Sequence, residues 1–89
     1  MDKQLLKEIK KVSNALKPQF HLGKAGITDT FLKTIDDYLT AHNIVKIKVT
    51  IAENKDESDK LADLLAEKVF AQIIEKKGFT FTLHRDPHF

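Results

Sequence analysis

At 89 residues, with 42% apolar and 31% charged side chains, the chain is sized and composed for one globular domain spanning 1–89. The absence of cysteine excludes a disulfide scaffold, thiolate catalysis and cysteine-ligated zinc or iron–sulfur sites. Net charge is only +2, but residues 1–28 carry six lysines against two acids while 29–89 carry nine basic against eleven acidic residues, so the positive excess lies in the first third. No apolar run is long enough to span a bilayer, and the charged N-terminal stretch is unlike a signal peptide; the expected location is the cytoplasm, with no membrane partner.

Residues 3–17 read as an amphipathic helix. Leu5, Ile9, Val12 and Leu16 recur at helical spacing, Leu6 widens the stripe, and Lys3, Lys7, Lys10, Asn14 and Lys17 follow the same rhythm on another face. Pro18 ends it, because the residue before proline avoids helical dihedrals. Residues 19–22 form a short extended run, with Phe20 and Leu22 on one side and Gln19 and His21 on the other. His21 reads as a strand-surface residue, since no carboxylate or serine lies near it in sequence.

Gly23-Lys24-Ala25-Gly26 follows, holding two of the three glycines. A glycine loop leading into a helix can present backbone N–H groups to an anion, and Lys24 adds a charge there. The next helix runs from Ile27 to His42, marked by Ile27, Phe31, Ile35 and Leu39, with Thr28 as N-cap and Asn43 as a left-handed stop. Asp36 and Asp37 are adjacent, about 100° apart on a helix, and do not converge as a catalytic or metal-binding pair.

Ile44 to Ala52 is the clearest strand. Val45, Ile47, Val49 and Ile51 face a core, while Lys46, Lys48 and Thr50 face away. The acidic connection Glu53–Asp59 lacks the calcium-loop pattern and suits the first turn of a third helix, with Asp56 or Ser58 as cap. Propensity alone carries that helix to Lys77, since no breaker precedes Gly78. Phe79, Phe81 and Leu83 then alternate with Thr80, Thr82 and His84 as a strand. Phe79 and Phe81 share a face assigned to the core, so no aromatic stacking platform is expected. His84 and His88 are four apart, but Pro87 argues against a helical metal pair, and no metal or other cofactor is expected. These elements imply a two-layer α/β sandwich with a mixed sheet, three helices being available to cover one face. The lysine-bearing face of the central strand would then be open.

The lysine-rich first helix, the short strand ending in Leu22-Gly23-Lys24-Ala25-Gly26, the helix opening Ile27-Thr28 and the strand Ile44-Val45-Lys46-Ile47-Lys48-Val49 together resemble the CRM domain, of chloroplast RNA splicing and ribosome maturation, with its stand-alone YhbY-type members. The resemblance implies an α-β-α-β-α-β-β fold with a four-stranded mixed sheet, similar to the C-terminal domain of translation initiation factor three and KH-like in its loop. It turns Gln72–Lys77 into a third strand paired with 79–85. It also implies binding of structured RNA, with stand-alone members associating with precursors of the large ribosomal subunit and plant members assisting intron splicing. Two departures stand out: no small or glycine-containing break separates the third helix from the third strand, where only Val69-Phe70-Ala71 is available, and the basic C-terminal extension of some members is lacking.

The expected partner is RNA, in the form of an rRNA precursor or pre-ribosomal particle, and the protein is expected to be a monomer. In KH domains such a loop clamps about four nucleotides through their phosphates. Here Gly23, Lys24, Ala25 and Gly26 would grip the backbone, Lys7, Lys10, Lys11 and Lys17 would extend the contact, and Lys46, Lys48 and Arg85 would continue it over the open sheet, with His84 and His88 as lesser candidates. The alternative is a protein-interaction module docking through the lysine-rich first helix. An enzyme is not expected, because the sequence has no P-loop, no dinucleotide fingerprint and no nucleophile with a neighbouring base.

Overall fold

A computed structural model describes residues 3–86. The elements are α1 (Lys3–Ala15), β1 (Phe20–Leu22), α2 (Asp29–His42), β2 (Ile44–Val49), α3 (Lys55–Lys68), β3 (Gln72–Lys77) and β4 (Thr80–His84). This is the expected α-β-α-β-α-β-β order. The strands form one mixed sheet in the order β1-β2-β4-β3. β1 runs parallel to β2, and β4 is antiparallel to both of its neighbours.

The helix ends follow their capping chemistry. The hydroxyl of Thr28 accepts from the Phe31 amide at 3.0 Å, and Asn43 stops α2 in a left-handed conformation with φ 66°. The cap of α3 differs from the expected Asp56 or Ser58. Asn54 fills it, its side chain accepting from the Glu57 amide at 2.9 Å, and Ser58 is buried within the helix. The far end of α3 accounts for the missing glycine. Phe70 itself takes the left-handed conformation, φ 56°, and Ala71 N–H bonds back to Ala66 O at 2.9 Å. The helix therefore stops at Lys68, with Val69 as its cap, and 72–77 becomes β3.

α2 and α3 cover one face of the sheet. Ile35 and Leu39 of α2, Ala62, Leu65 and Ala66 of α3, and Leu22, Val45, Ile47, Val49, Phe81 and Leu83 of the sheet form one buried cluster. Burying each large side chain contributes about 1.5–3 kcal/mol. α1 departs from the expectation and lies on the opposite face, packed mainly against β3. Its buried Ser13 shares a hydrogen bond of 2.7 Å with Thr82, which alternates with the core residues Phe81 and Leu83 and so points away from α2 and α3. Ile9 and Ile74 are buried outside the main cluster. Ile74 sits where the β3–β4 register shifts between Ile73 and Glu75, a bulge that reverses the facing of every later β3 residue. The lysine-bearing sheet face is thus half covered.

Candidate nucleic-acid interface

The loop at the end of β1 is a closed turn. Gly26 N–H bonds to Gly23 O at 2.9 Å, leaving Lys24 and Ala25 exposed at the tip. Gly26 has φ +72°, a conformation that disfavours any side chain, whereas a Cβ at Gly23 would meet only the Thr50 hydroxyl at 3.6 Å. The turn thus spends the Gly26 amide internally, and Thr28 caps α2 with its own side chain. The amides of Lys24 and Ala25 make no hydrogen bond within the described residues. They, with the Lys24 ammonium, are the groups this turn can offer an anion.

Beside the turn, strand register assembles a row that sequence order scatters. His21 pairs with Lys48, Lys48 with Thr80, and Thr80 with Lys77, so the four lie side by side across β1, β2, β4 and β3. At one strand spacing per step the row extends about 15 Å. It lies on the face that carries α1, one pleat repeat further along than the row of Lys46 and Thr82 that α1 covers. The orientation of α1 brings its own lysines to the same place. With Ile9 and Ser13 against the sheet, Leu5 and Val12 line cavities together with Ile44 and His84, at the other end of the strands. At 3.6 residues per turn, Lys10 then flanks the side nearer Lys48, Lys7 points further out and Lys11 points away from the sheet, while Lys17 lies beyond the end of α1, exposed in the segment that leads to β1.

Two expected contacts face inward. The Lys46 ammonium donates to Ser13 O at 3.0 Å and Leu16 O at 3.1 Å, placing a cation on the last carbonyls of α1. Arg85 is only 8% exposed. Its guanidinium donates to the Asp36 carboxylate, to Asp36 O and Val69 O at 2.9 Å each, and to Thr40 Oγ1 at 2.8 Å. It ties the end of α3 to α2 and is no part of the open sheet. His84 is half-buried, and burial lowers its pKa below the 6.5 of a free imidazole, with Asp86 pulling it back up. His88 lies outside the described residues.

Two residues join the surface that sequence alone did not assign to it. His21 and Lys77 enter through register. Lys76, one residue before Lys77, faces α3 instead and pairs with Asp63 at 2.8 Å. Phe79, assigned to the core from its alternation with Phe81, is 40% exposed whereas Phe81 is 2% exposed. Among the described residues no three His, Asp or Glu side chains gather as a metal site, and no helix is long and apolar enough to cross a membrane.

A mixed four-stranded sheet with α2 and α3 on one face, α1 on the other and a glycine turn after β1 defines a small α+β domain with a basic sheet edge. Residues 1–85 match the model of the CRS1 / YhbY (CRM) domain, and the chain belongs to that family. It is 30% identical over 71 residues to a Bacillus subtilis (strain 168) protein named "Probable RNA-binding protein YqeI", a match covering 80% of this chain and 73% of that one. Its fold is similar to the solution structure of SAV1595, a hypothetical protein of Staphylococcus aureus, with a TM-score of 0.79 and 24% identity over 97% of this chain and 88% of the other.

Proposed function

We propose that this chain binds structured RNA through the sugar–phosphate backbone, with the Gly23–Gly26 turn and the cluster of Lys10, Lys17, Lys24, Lys48 and Lys77 as its contact surface. The observation that carries the reading is the turn itself: two unbonded amides and a lysine stand at the end of a row of exposed basic side chains. Family membership and the RNA-binding name of the Bacillus subtilis relative support RNA as the partner. Lysine and amide contacts to phosphate position an RNA without reading its bases, so shape outweighs sequence in this binding. The family resemblance extends the proposal to rRNA precursors in assembling large ribosomal subunits, bound by a cytoplasmic monomer acting without catalysis.

The test is electrophoretic mobility shift with a structured rRNA fragment across a salt series. Four to five phosphate contacts give log affinity against log salt a slope of about −3 to −4. Lys24→Glu with Lys48→Glu should lower affinity by about 10-fold or more and flatten the slope by about 2, since each phosphate lysine contributes about 1. A folded double variant that binds within about twofold of wild type refutes the reading.

A second reading, protein docking through α1, is favoured by one observation: Leu5 and Val12 on α1 are 46% and 50% exposed, and Leu5 lines the same cavity as the 68% exposed Phe70. Ribonuclease treatment separates the two. It releases an RNA-held partner particle and leaves a protein-held one attached.

A further inference from the structure

Two adjacent rows on the α1 face of the sheet carry similar side chains in opposite states. In the row that α1 covers, Lys46 donates to Ser13 O and Leu16 O, Thr82 shares a hydrogen bond with Ser13, and Glu75 accepts from Ser13 Oγ at 3.2 Å. In the next row, the side chains of His21, Lys48, Thr80 and Lys77 make no hydrogen bond or ion pair among the described residues. Thr80 is the telling member. The other threonines of this face are committed, Thr82 to Ser13 and Thr50 to Leu22 O at 3.2 Å. Thr80 is half-buried, yet no unbonded side-chain oxygen or nitrogen is sealed from solvent among the described residues, so its hydroxyl opens outward. Lys48 pairs with Thr80 on one side and Lys77 on the other, which sets the two lysine backbones about 10 Å apart with the hydroxyl between them.

Cation, hydroxyl, cation repeats the order phosphate, ribose, phosphate of an RNA backbone. Each ammonium offers donors to a phosphate and cannot accept, whereas a threonine hydroxyl both donates and accepts. The group on a nucleic acid that does the same is the ribose 2′-hydroxyl, which RNA displays across its wide, shallow minor groove and DNA lacks. We propose that the Thr80 hydroxyl pairs with a ribose 2′-hydroxyl between phosphates held by Lys48 and Lys77, so that this surface selects the sugar of its ligand as well as its charge. This rests on the backbone-binding reading above and adds to it a residue that separates RNA from DNA. The selection is independent of base sequence, because every ribonucleotide carries the same hydroxyl.

The test compares a short RNA hairpin with the same hairpin carrying 2′-fluorine in place of each 2′-hydroxyl, by fluorescence anisotropy at one salt concentration. Fluorine keeps the A-form shape and the phosphate charge and removes the hydroxyl. Wild type should bind the ribose hairpin about 3- to 10-fold more tightly, the range for one net hydrogen bond. Thr80→Val keeps a β-branched side chain that suits a strand and should abolish that preference, weakening the ribose hairpin by the same factor and changing the fluoro hairpin by less than about twofold. Thr80→Ser keeps the hydroxyl and should keep the preference. Equal wild-type binding of the two hairpins, or a preference that survives Thr80→Val, would overturn the role of Thr80. Lys24→Glu keeps the two readings apart, because it should weaken both hairpins alike. If it does while wild type shows no preference, the hydroxyl contact alone is wrong; if wild type binds neither hairpin, both readings are wrong.

Discussion

Replacing Arg85 with Met distinguishes a structural clamp from an RNA contact. The guanidinium side chain is 8% exposed, and its hydrogen bonds include four to α2 and Val69, two of them to backbone carbonyls and one to a carboxylate. Charge-assisted bonds contribute about 1.5–3 kcal/mol each in isolation, but these four share one group and do not add. Asp36 is 54% exposed on its side chain, so its carboxylate is resolvated when the arginine is lost and its share is small. The main cost is the Val69 and Asp36 carbonyls deprived of their donor, together with the lost packing of the arginine stem. We expect a total of about 2–4 kcal/mol, a large part of the stability of so small a domain. In a chain of this length that lowers the melting temperature by about 10–30 °C. Urea unfolding followed by circular dichroism measures it, and mobility shift at low temperature, where the variant remains folded, should show RNA affinity within about twofold of wild type. A loss below about 0.5 kcal/mol accompanied by weakened RNA binding would refute the clamp and return Arg85 to the interface.

Two further predictions concern the packing around the interface. Lys46→Met removes the cation from the last carbonyls of α1 and should cost about 1–2 kcal/mol, with faster amide exchange in α1 than in α2. His84 is held below its free pKa, so the unfolded chain takes up its proton at higher pH than the folded one. Its stabilising contribution is complete above pH 6.5 and declines as pH falls through the lowered value; the urea midpoint should drop over that window, and His84→Gln should flatten the drop.

The helical and strand periodicities were readable because they record local burial. The caps at Thr28 and Asn43 were equally local, each depending on a short side chain within three residues of its target. The third helix departs from its local signals at both ends, for different reasons. Asn54 is the cap although the acidic residues after it also suit a first turn. At the other end, nothing in Val69-Phe70-Ala71 advertises a helix stop, because phenylalanine rarely adopts φ 56°. Only the pairing of β3 with β4 makes that conformation worthwhile, and the family resemblance supplied the strand where propensity did not.

The sequence by itself determined the element order, the aliphatic face of β2, the concentration of lysine in the first third and a glycine turn leading into α2. All of these depend on neighbours along the chain. Tertiary structure alone decided which lysines are available. Lys46 and Lys48 look equivalent on their strand, yet α1 crosses over one and leaves the other open. Lys76 and Lys77 look interchangeable, yet the bulge at Ile74 sends the first to Asp63 and the second to the basic row. Phe79 and Phe81 share one alternation, yet the sheet ends between them and only Phe81 is covered. A period of two gives a residue's face relative to its neighbours; helix placement, register and the end of the sheet decide what that face meets.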